Sequence, residues 1–208
     1  MPHTILYGGT FDPIHHGHLI TSRAACEQLR ADRVLLLPAR VSPHKTGEPP
    51  GASDDQRREM IRLAIQAGGA GIFEVDDREL KREGPSYTID TVEELQREHP
   101  KERFTLLIGS DQLSRLHTWH RIEELLERVQ VGILSRPMSE PMERAFAAIR
   151  ERLGAEAADT LRRRVLMTPL VDIAASNIRF RVRQGLGISY LVPETVGLYI
   201  AAARLYVD

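Results

Sequence analysis

Short apolar runs that end at a glycine or a proline, each followed by a stretch with helical rhythm, limit this chain more tightly than any other feature. "HTILYG" reads as a buried strand over residues 3–7, and "DRVLLLPA" as a second over 32–39, closed by Pro38. "RFTLLIG" (103–109) and "VQVGILSRP" (129–137) follow the same pattern. These runs are continuous rather than alternating, so each strand is expected to be covered on both faces. "GIFEVDD" (71–77) reads as a further strand, and "RVLMTPLVDI" contains a short one. Helical rhythm fills the intervals. It appears at 17–29 (with Leu19, Ala24, Ala25 and Leu29), at 54–67 behind a Ser53-Asp54 cap, at 88–99 before Pro100, and at 122–129. Amphipathic helices are expected over 140–163, with Leu153, Ala157, Leu161 and Val165 on one stripe. Two more follow, one with Gly185 just past its end and one starting near Pro193. Strands alternating with helices predict an α/β fold: one domain over 1–208 with a mainly parallel sheet, helices on both faces, and a helical C-terminal portion from about residue 140.

Composition narrows the class. With 208 residues, 42% hydrophobic and 27% charged, the chain has material for a sizeable core. A net charge of -1 gives no bulk attraction to nucleic acid or anionic membrane, and the five arginines over 150–164 read as a solvated face. Cys26 is the only cysteine, which excludes an intrachain disulfide and a cysteine-based zinc site. The start is too short and uncharged for a signal peptide, and no apolar run suits a membrane span. The expected setting is the reducing cytoplasm. Association of identical chains is left open.

In parallel α/β sheets ligands bind beyond the carboxyl ends of the strands. The stretches to inspect are therefore 8–18, 39–46, 109–119, 136 and 173–179. The first reads "GGTFDPIHHGH". It matches neither the P-loop nor the dinucleotide glycine pattern. Gly8 and Gly9 permit close backbone approach, Thr10 adds a hydroxyl, and Asp12-Pro13 suits a turn into a helix. Gly17 falls in the first helical turn, where absence of bulk is its expected use. Free N–H groups and the helix dipole favour an anion there. His15 and His18, three apart, share a face, whereas His16 does not. A cradle for phosphate with two imidazole donors is one reading; a His-x-x-His metal pair and a plain turn are the others.

At this point the sequence resembles a family. "GGTFDPIHHGHL" is similar to the signature of nucleotidyltransferases with an H-x-G-H motif, with His15, Gly17 and His18 at the named positions. Four further stretches resemble the nicotinate-nucleotide adenylyltransferases of NAD biosynthesis: "SPHK" with Lys45, "SYTIDTVEEL" (86–95), "LIGSDQLSRLHTWHR" (107–121) with Asp111 and Trp119, and "DIAASNIR" (172–179). One position departs, because Ala174 stands where the family has the first serine of its I-S-S-[TS] motif.

The resemblance implies a Rossmann-like nucleotidyltransferase fold and transfer of an adenylyl group from ATP to nicotinate mononucleotide. It assigns His15, His18, Lys45 and Arg179 to catalysis. ATP is expected on Gly8, Gly9, Thr10, Phe11, His18, Gly109, Asp111, Ser176 and Arg179. The mononucleotide is expected on Gly9, Thr10, His15, Lys45, Tyr87, Thr88, Trp119 and Arg136. Mg²⁺ would be held mainly by ATP phosphates and water, and no residue is assigned as a metal ligand. Individual positions keep alternatives. Asp111 either accepts from the ATP ribose or caps a helix, and Trp119 either fills core or presents a π face to the pyridine ring. Tyr87 and Thr88 suit a helix cap as well as nicotinate binding, and Arg136 suits a surface ion pair as well as phosphate. Ser176 is expected as the N-cap of its helix, and Arg179 in that helix's first turn.

A phosphate nucleophile is already anionic, so the chemistry requires in-line positioning and charge stabilisation rather than a general base. Rival readings are the same reaction on nicotinamide mononucleotide, a phosphopantetheine adenylyltransferase, and a non-catalytic nucleotide-binding regulator.

Overall fold

The computed structural model describes residues 1–43, 49–68, 71–135 and 142–207. Six strands form one sheet: β1 (His3–Gly9), β2 (Arg33–Pro38), β3 (Phe73–Val75), β4 (Arg103–Gly109), β5 (Gln130–Leu134) and β6 (Val165–Leu166). Their order across the sheet is β3-β2-β1-β4-β5-β6, and every pairing is parallel. The expected doubly covered parallel sheet is therefore present.

Helices α1 (His16–Leu29), α2 (Asp54–Ala67), α8 (Ala175–Arg183) and α9 (Glu194–Ala202) send apolar residues to one face, where Ile5, Tyr7, Val34, Leu36 and Leu107 meet Cys26, Met60, Ile178 and Ile200. On the other face Leu6, Leu35, Leu106 and Ile108 meet Val92, Leu125 and Phe146 from α4 (Thr88–Glu98), α5 (Ile122–Arg128) and α6 (Met142–Leu153). Successive strand residues thus enter opposite layers, which is why the runs are apolar at every position. Each fully buried leucine contributes about 1.5–3 kcal/mol.

Three local expectations are corrected. The buried face of α1 is Gly17, Thr21, Ser22, Ala25 and Cys26, while Leu19 and Leu29 are only partly covered. Two hydroxyls can be buried there because Thr21 Oγ1 donates to the Gly17 carbonyl at 2.7 Å and Ser22 Oγ to that of His18 at 2.6 Å. The stretch 140–163 divides at Gly154, whose φ of +91° ends α6 before α7 (Ala155–Arg162), so Ala158 rather than Ala157 is the buried partner of Leu161. Two short elements were not anticipated: α3 (Arg78–Lys81) and a 3-10 helix over Ser110–Thr118.

Candidate active site

Connections from β1 and β4 run to opposite sides of the sheet, leaving a crevice between their carboxyl ends. A cleft of about 600 Å³ opens there. Gly8, Gly9, Thr10 and His18 form one side of it, Thr88 and Thr91 of α4 another, and Asp111 and Trp119 a third.

The bend after β1 is built for close approach. A methyl on Gly8 would meet no atom within 4 Å and would occupy open cleft, whereas one on Gly9 would press on the Phe11 ring at 3.1 Å. Phe11 has φ of +49°, a left-handed conformation costing about 1–2 kcal/mol in an L-residue. Its buried ring meets His18 edge-on at 5.0 Å between centroids.

Asp12 fixes this bend to the rest of the molecule. Its carboxylate accepts from the backbone N–H of Gly51 at 2.8 Å and of Ala52 at 3.1 Å, and from the Tyr206 hydroxyl at 2.7 Å. Burial, followed by the Asp12 charge, pushes the Tyr206 phenol well above its usual range, so it remains a donor. Arg179 Nη1 donates to the Asp12 carbonyl at 2.7 Å and lies 3.6 Å from the carboxylate. From below, the fully buried Arg57 donates Nη1 to the carbonyls of Thr10 at 2.7 Å and Ala39 at 2.8 Å, and Nη2 to Asp54 at 2.6 Å. One guanidinium therefore ties the β1 bend to the chain leaving β2.

His15 is the N-cap residue of α1 and His18 its third residue. Their rings stack at 3.7 Å with 24° between planes. His18 Nδ1 accepts the His15 backbone N–H at 3.3 Å, so the neutral ring carries its proton on Nε2. His18 reaches the cleft wall; His15 is buried behind it, and Arg179 and Ser176 lie outside that wall. Gly17 has the use expected of it, since a methyl there would sit 2.9 Å from His15 Nδ1 and displace the ring. The same methyl would lie 3.5 Å from the Ile173 carbonyl, which places the start of α8 beside the start of α1.

Two expectations for α8 are corrected. Ala174 is its N-cap residue and has no side-chain oxygen to cap with; Ser176 is exposed one residue inside the helix. Arg179 is the fifth helical residue, beyond the first turn, and reaches the bend because long helical side chains slant toward the N-terminus.

Across the cleft, Gly109 ends β4 and is the N-cap residue of the 3-10 helix, so Asp111 lies within that helix rather than capping it. Tyr87 is the N-cap residue of α4, but neither it nor Thr88 caps through its side chain. Among the described residues no side chain caps the first-turn N–H groups of α4. Trp119 is partly buried and packs on the second core layer, as its core reading expects, while also lining the cleft. His120 stacks on Tyr87 at 4.2 Å between centroids. Lys45 and Arg136 lie outside the described residues.

Sequence reading missed Arg57, Tyr206, His120 and Glu79. Only Arg57 had a visible signal: it stands on the stripe of Met60, Ile61 and Ala64, where a solvated arginine does not belong. Among the described residues no group of three or more His, Cys, Asp or Glu side chains is placed to hold a metal ion. The donors around the bend are amides, imidazole and guanidinium, a set suited to phosphate oxygens.

Residues 6–181 match the cytidylyltransferase-like family. The chain is 39% identical over 201 residues to a probable nicotinate-nucleotide adenylyltransferase of Geobacillus thermodenitrificans, covering 97% of this chain and 84% of that protein. It is 40% identical to one from Exiguobacterium sibiricum, covering 97% of each. Among solved structures, the Plasmodium falciparum nicotinic acid mononucleotide adenylyltransferase complexed with APC has the same fold, with TM-score 0.73 at 17% identity over 99% of this chain and 98% of that one. A putative nicotinate-nucleotide adenylyltransferase of Vibrio parahaemolyticus superposes with TM-score 0.68 at 19% identity, over 100% and 97% of the two chains. The H-x-G-H bend, the sheet order and these full-length likenesses agree: the chain belongs to the cytidylyltransferase-like family and, within it, to the nicotinate-nucleotide adenylyltransferases.

Proposed function

We propose that this protein joins ATP and nicotinate mononucleotide, giving nicotinate adenine dinucleotide and pyrophosphate in NAD biosynthesis. A phosphate oxygen of the mononucleotide attacks the α-phosphorus of ATP, the bond from that phosphorus to the oxygen bridging to the β-phosphate breaks, and pyrophosphate departs. The attacking oxygen is already charged, so no residue is asked to remove a proton.

The chain's task is to hold two anions in line and to meet charge as it moves. His18 Nε2–H is the donor aimed at the α-phosphate, and the buried His15 ring behind it keeps that donor in place. Gly8 leaves room for phosphate, Gly9 leaves room for the Phe11 ring that supports the bend, and the adjoining starts of α1 and α8 offer backbone N–H groups. This reading retains Arg179, Lys45 and Arg136 as the cations of the phosphate end. Asp111, at the carboxyl end of β4, serves the ATP ribose. Tyr87, Thr88 and Trp119 take the nicotinate ring, whose carboxylate suits the uncapped N–H groups of α4. A divalent cation, Mg²⁺, arrives on the ATP phosphates and supplies charge neutralisation there.

The observation that carries this reading is the stacked His15/His18 pair at a helix start, under a glycine bend, at the switch point of the sheet. Pyrophosphate release with ATP and each of nicotinate mononucleotide, nicotinamide mononucleotide and phosphopantetheine tests it. Release is expected with nicotinate mononucleotide above the other two. Equal inactivity with all three would end the enzyme reading, and preference for another acceptor would reassign it.

A further inference from the structure

Glu79 is a buried carboxyl in the wall of the substrate cleft, and nothing in the phosphate chemistry uses it. It is 5% exposed, on α3, facing the second turn of α4. Among the described residues its one hydrogen-bond partner is the Thr91 hydroxyl, which donates to Oε1 at 2.7 Å, and no cation lies within ion-pair distance of it. Arg82, whose charge acts on this carboxyl, is occupied elsewhere, with Glu94 at 2.7 Å and the Thr91 hydroxyl at 3.0 Å. Asp76 and Glu94 add negative charge nearby, and burial, the largest influence, holds the carboxyl above the usual carboxylate range. An acid so placed is costly to ionise unless a positive group comes to it.

The mononucleotide provides one. A pyridine joined to ribose through its ring nitrogen carries a permanent positive charge, and nicotinate adds a carboxylate at the meta position of the same ring. Thr88 and Thr91 both line the cleft and are one turn apart on α4, about 4.5 Å along its axis. That separation is of the order of the distance from carboxylate to ring nitrogen in a pyridine-3-carboxylate. With the ring carboxylate at the uncapped start of α4, the positive end falls beside Glu79. Asp111, the other acid among the described residues of the cleft wall, is exposed and stands at the end of β4.

We propose that Glu79 recognises the pyridinium charge of the mononucleotide, so that this substrate, and not ATP, depends on a single buried carboxylate for its affinity. The idea rests on the function proposed above. It has a thermodynamic consequence: burial holds the Glu79 carboxyl above the usual carboxylate range, a cation arriving beside it favours the charged form, and binding therefore draws protons off this group.

Glu79→Gln keeps the size and an acceptor for Thr91, so the fold is expected to survive. Calorimetric titration of nicotinate mononucleotide near pH 6, in two buffers of different ionisation enthalpy, reads affinity and proton release together; ATP is titrated as control. The variant should bind the mononucleotide at least about tenfold more weakly, lose the part of the proton release present in the wild type, and bind ATP as before. Unchanged mononucleotide affinity and proton release in E79Q, or equal weakening for both substrates, would overturn the proposal. A wild-type protein that does not bind nicotinate mononucleotide at all would overturn the function reading, and this inference with it.

Discussion

Gly17 and His18 make separable predictions at the scale of single residues. Alanine at Gly17 is the better helix former by about 0.5–1 kcal/mol, but its methyl would come within 2.9 Å of His15 Nδ1 and push that ring off its partner. Gly17→Ala should therefore leave thermal stability within a few degrees of wild type while lowering kcat by about tenfold or more. His18→Ala removes the donor itself, and kcat should fall by about 10²–10³-fold with KM for ATP moving much less. Steady-state kinetics beside a melting curve decides both; unchanged turnover in either variant would remove the stacked pair from the chemistry. The bend's residues were legible because "GGTFDPIHHGH" is dense in side chains that need a reason. The partners that hold the bend were not. Tyr206 meets Asp12 across almost the whole chain, and no local pattern announces a contact at that separation.

Among elements, α2 has the largest unannounced role. Ser53 accepts from the Gln56 N–H at 3.3 Å as the sequence suggested, but the helix also carries Arg57 under the cleft. Arg57→Met would leave the Thr10 and Ala39 carbonyls without that donor, at about 1–2 kcal/mol for each of these partly buried acceptors. Chemical denaturation should show a loss of about 2–4 kcal/mol, and Arg57→Lys, which restores one donor group, should lose less. No loss in R57M would show that the two carbonyls do not depend on this guanidinium. Strands and long helices were legible from period and punctuation, since buried parallel strands leave uninterrupted apolar runs. Where tertiary contacts override local rhythm, sequence reading failed. In α1 Thr21 and Ser22 satisfy their hydroxyls on the helix backbone and so pass for core. In α8 the side chain of Arg179 reaches back past a start that Ser176 does not cap.

For the whole molecule, the sheet order decides where chemistry can occur. Parallel strands bring the β1 bend, the end of β2 and the end of β4 to one edge, and the reversal between β1 and β4 opens the cleft among them. Away from the cleft, at the amino ends of the strands, Arg33 at the start of β2 pairs with Glu74 at 2.7 Å and Glu102 at 3.1 Å. The fold class and the location of the cleft followed from the sequence because both depend on element order alone. Which side chains face the cleft depends on packing between distant elements, and that is how Glu79 and His120 escaped notice. Of all the proposed placements, the triphosphate on the glycine-histidine bend is the one on which the others depend. A crystal structure with an ATP analogue carrying a methylene between the α- and β-phosphorus tests it most directly. Triphosphate is expected at the start of α1, with an α-phosphate oxygen within about 3.2 Å of His18 Nε2. Triphosphate bound away from Gly8 and Gly9, or a His18 ring turned from it, would remove the bend from phosphate binding.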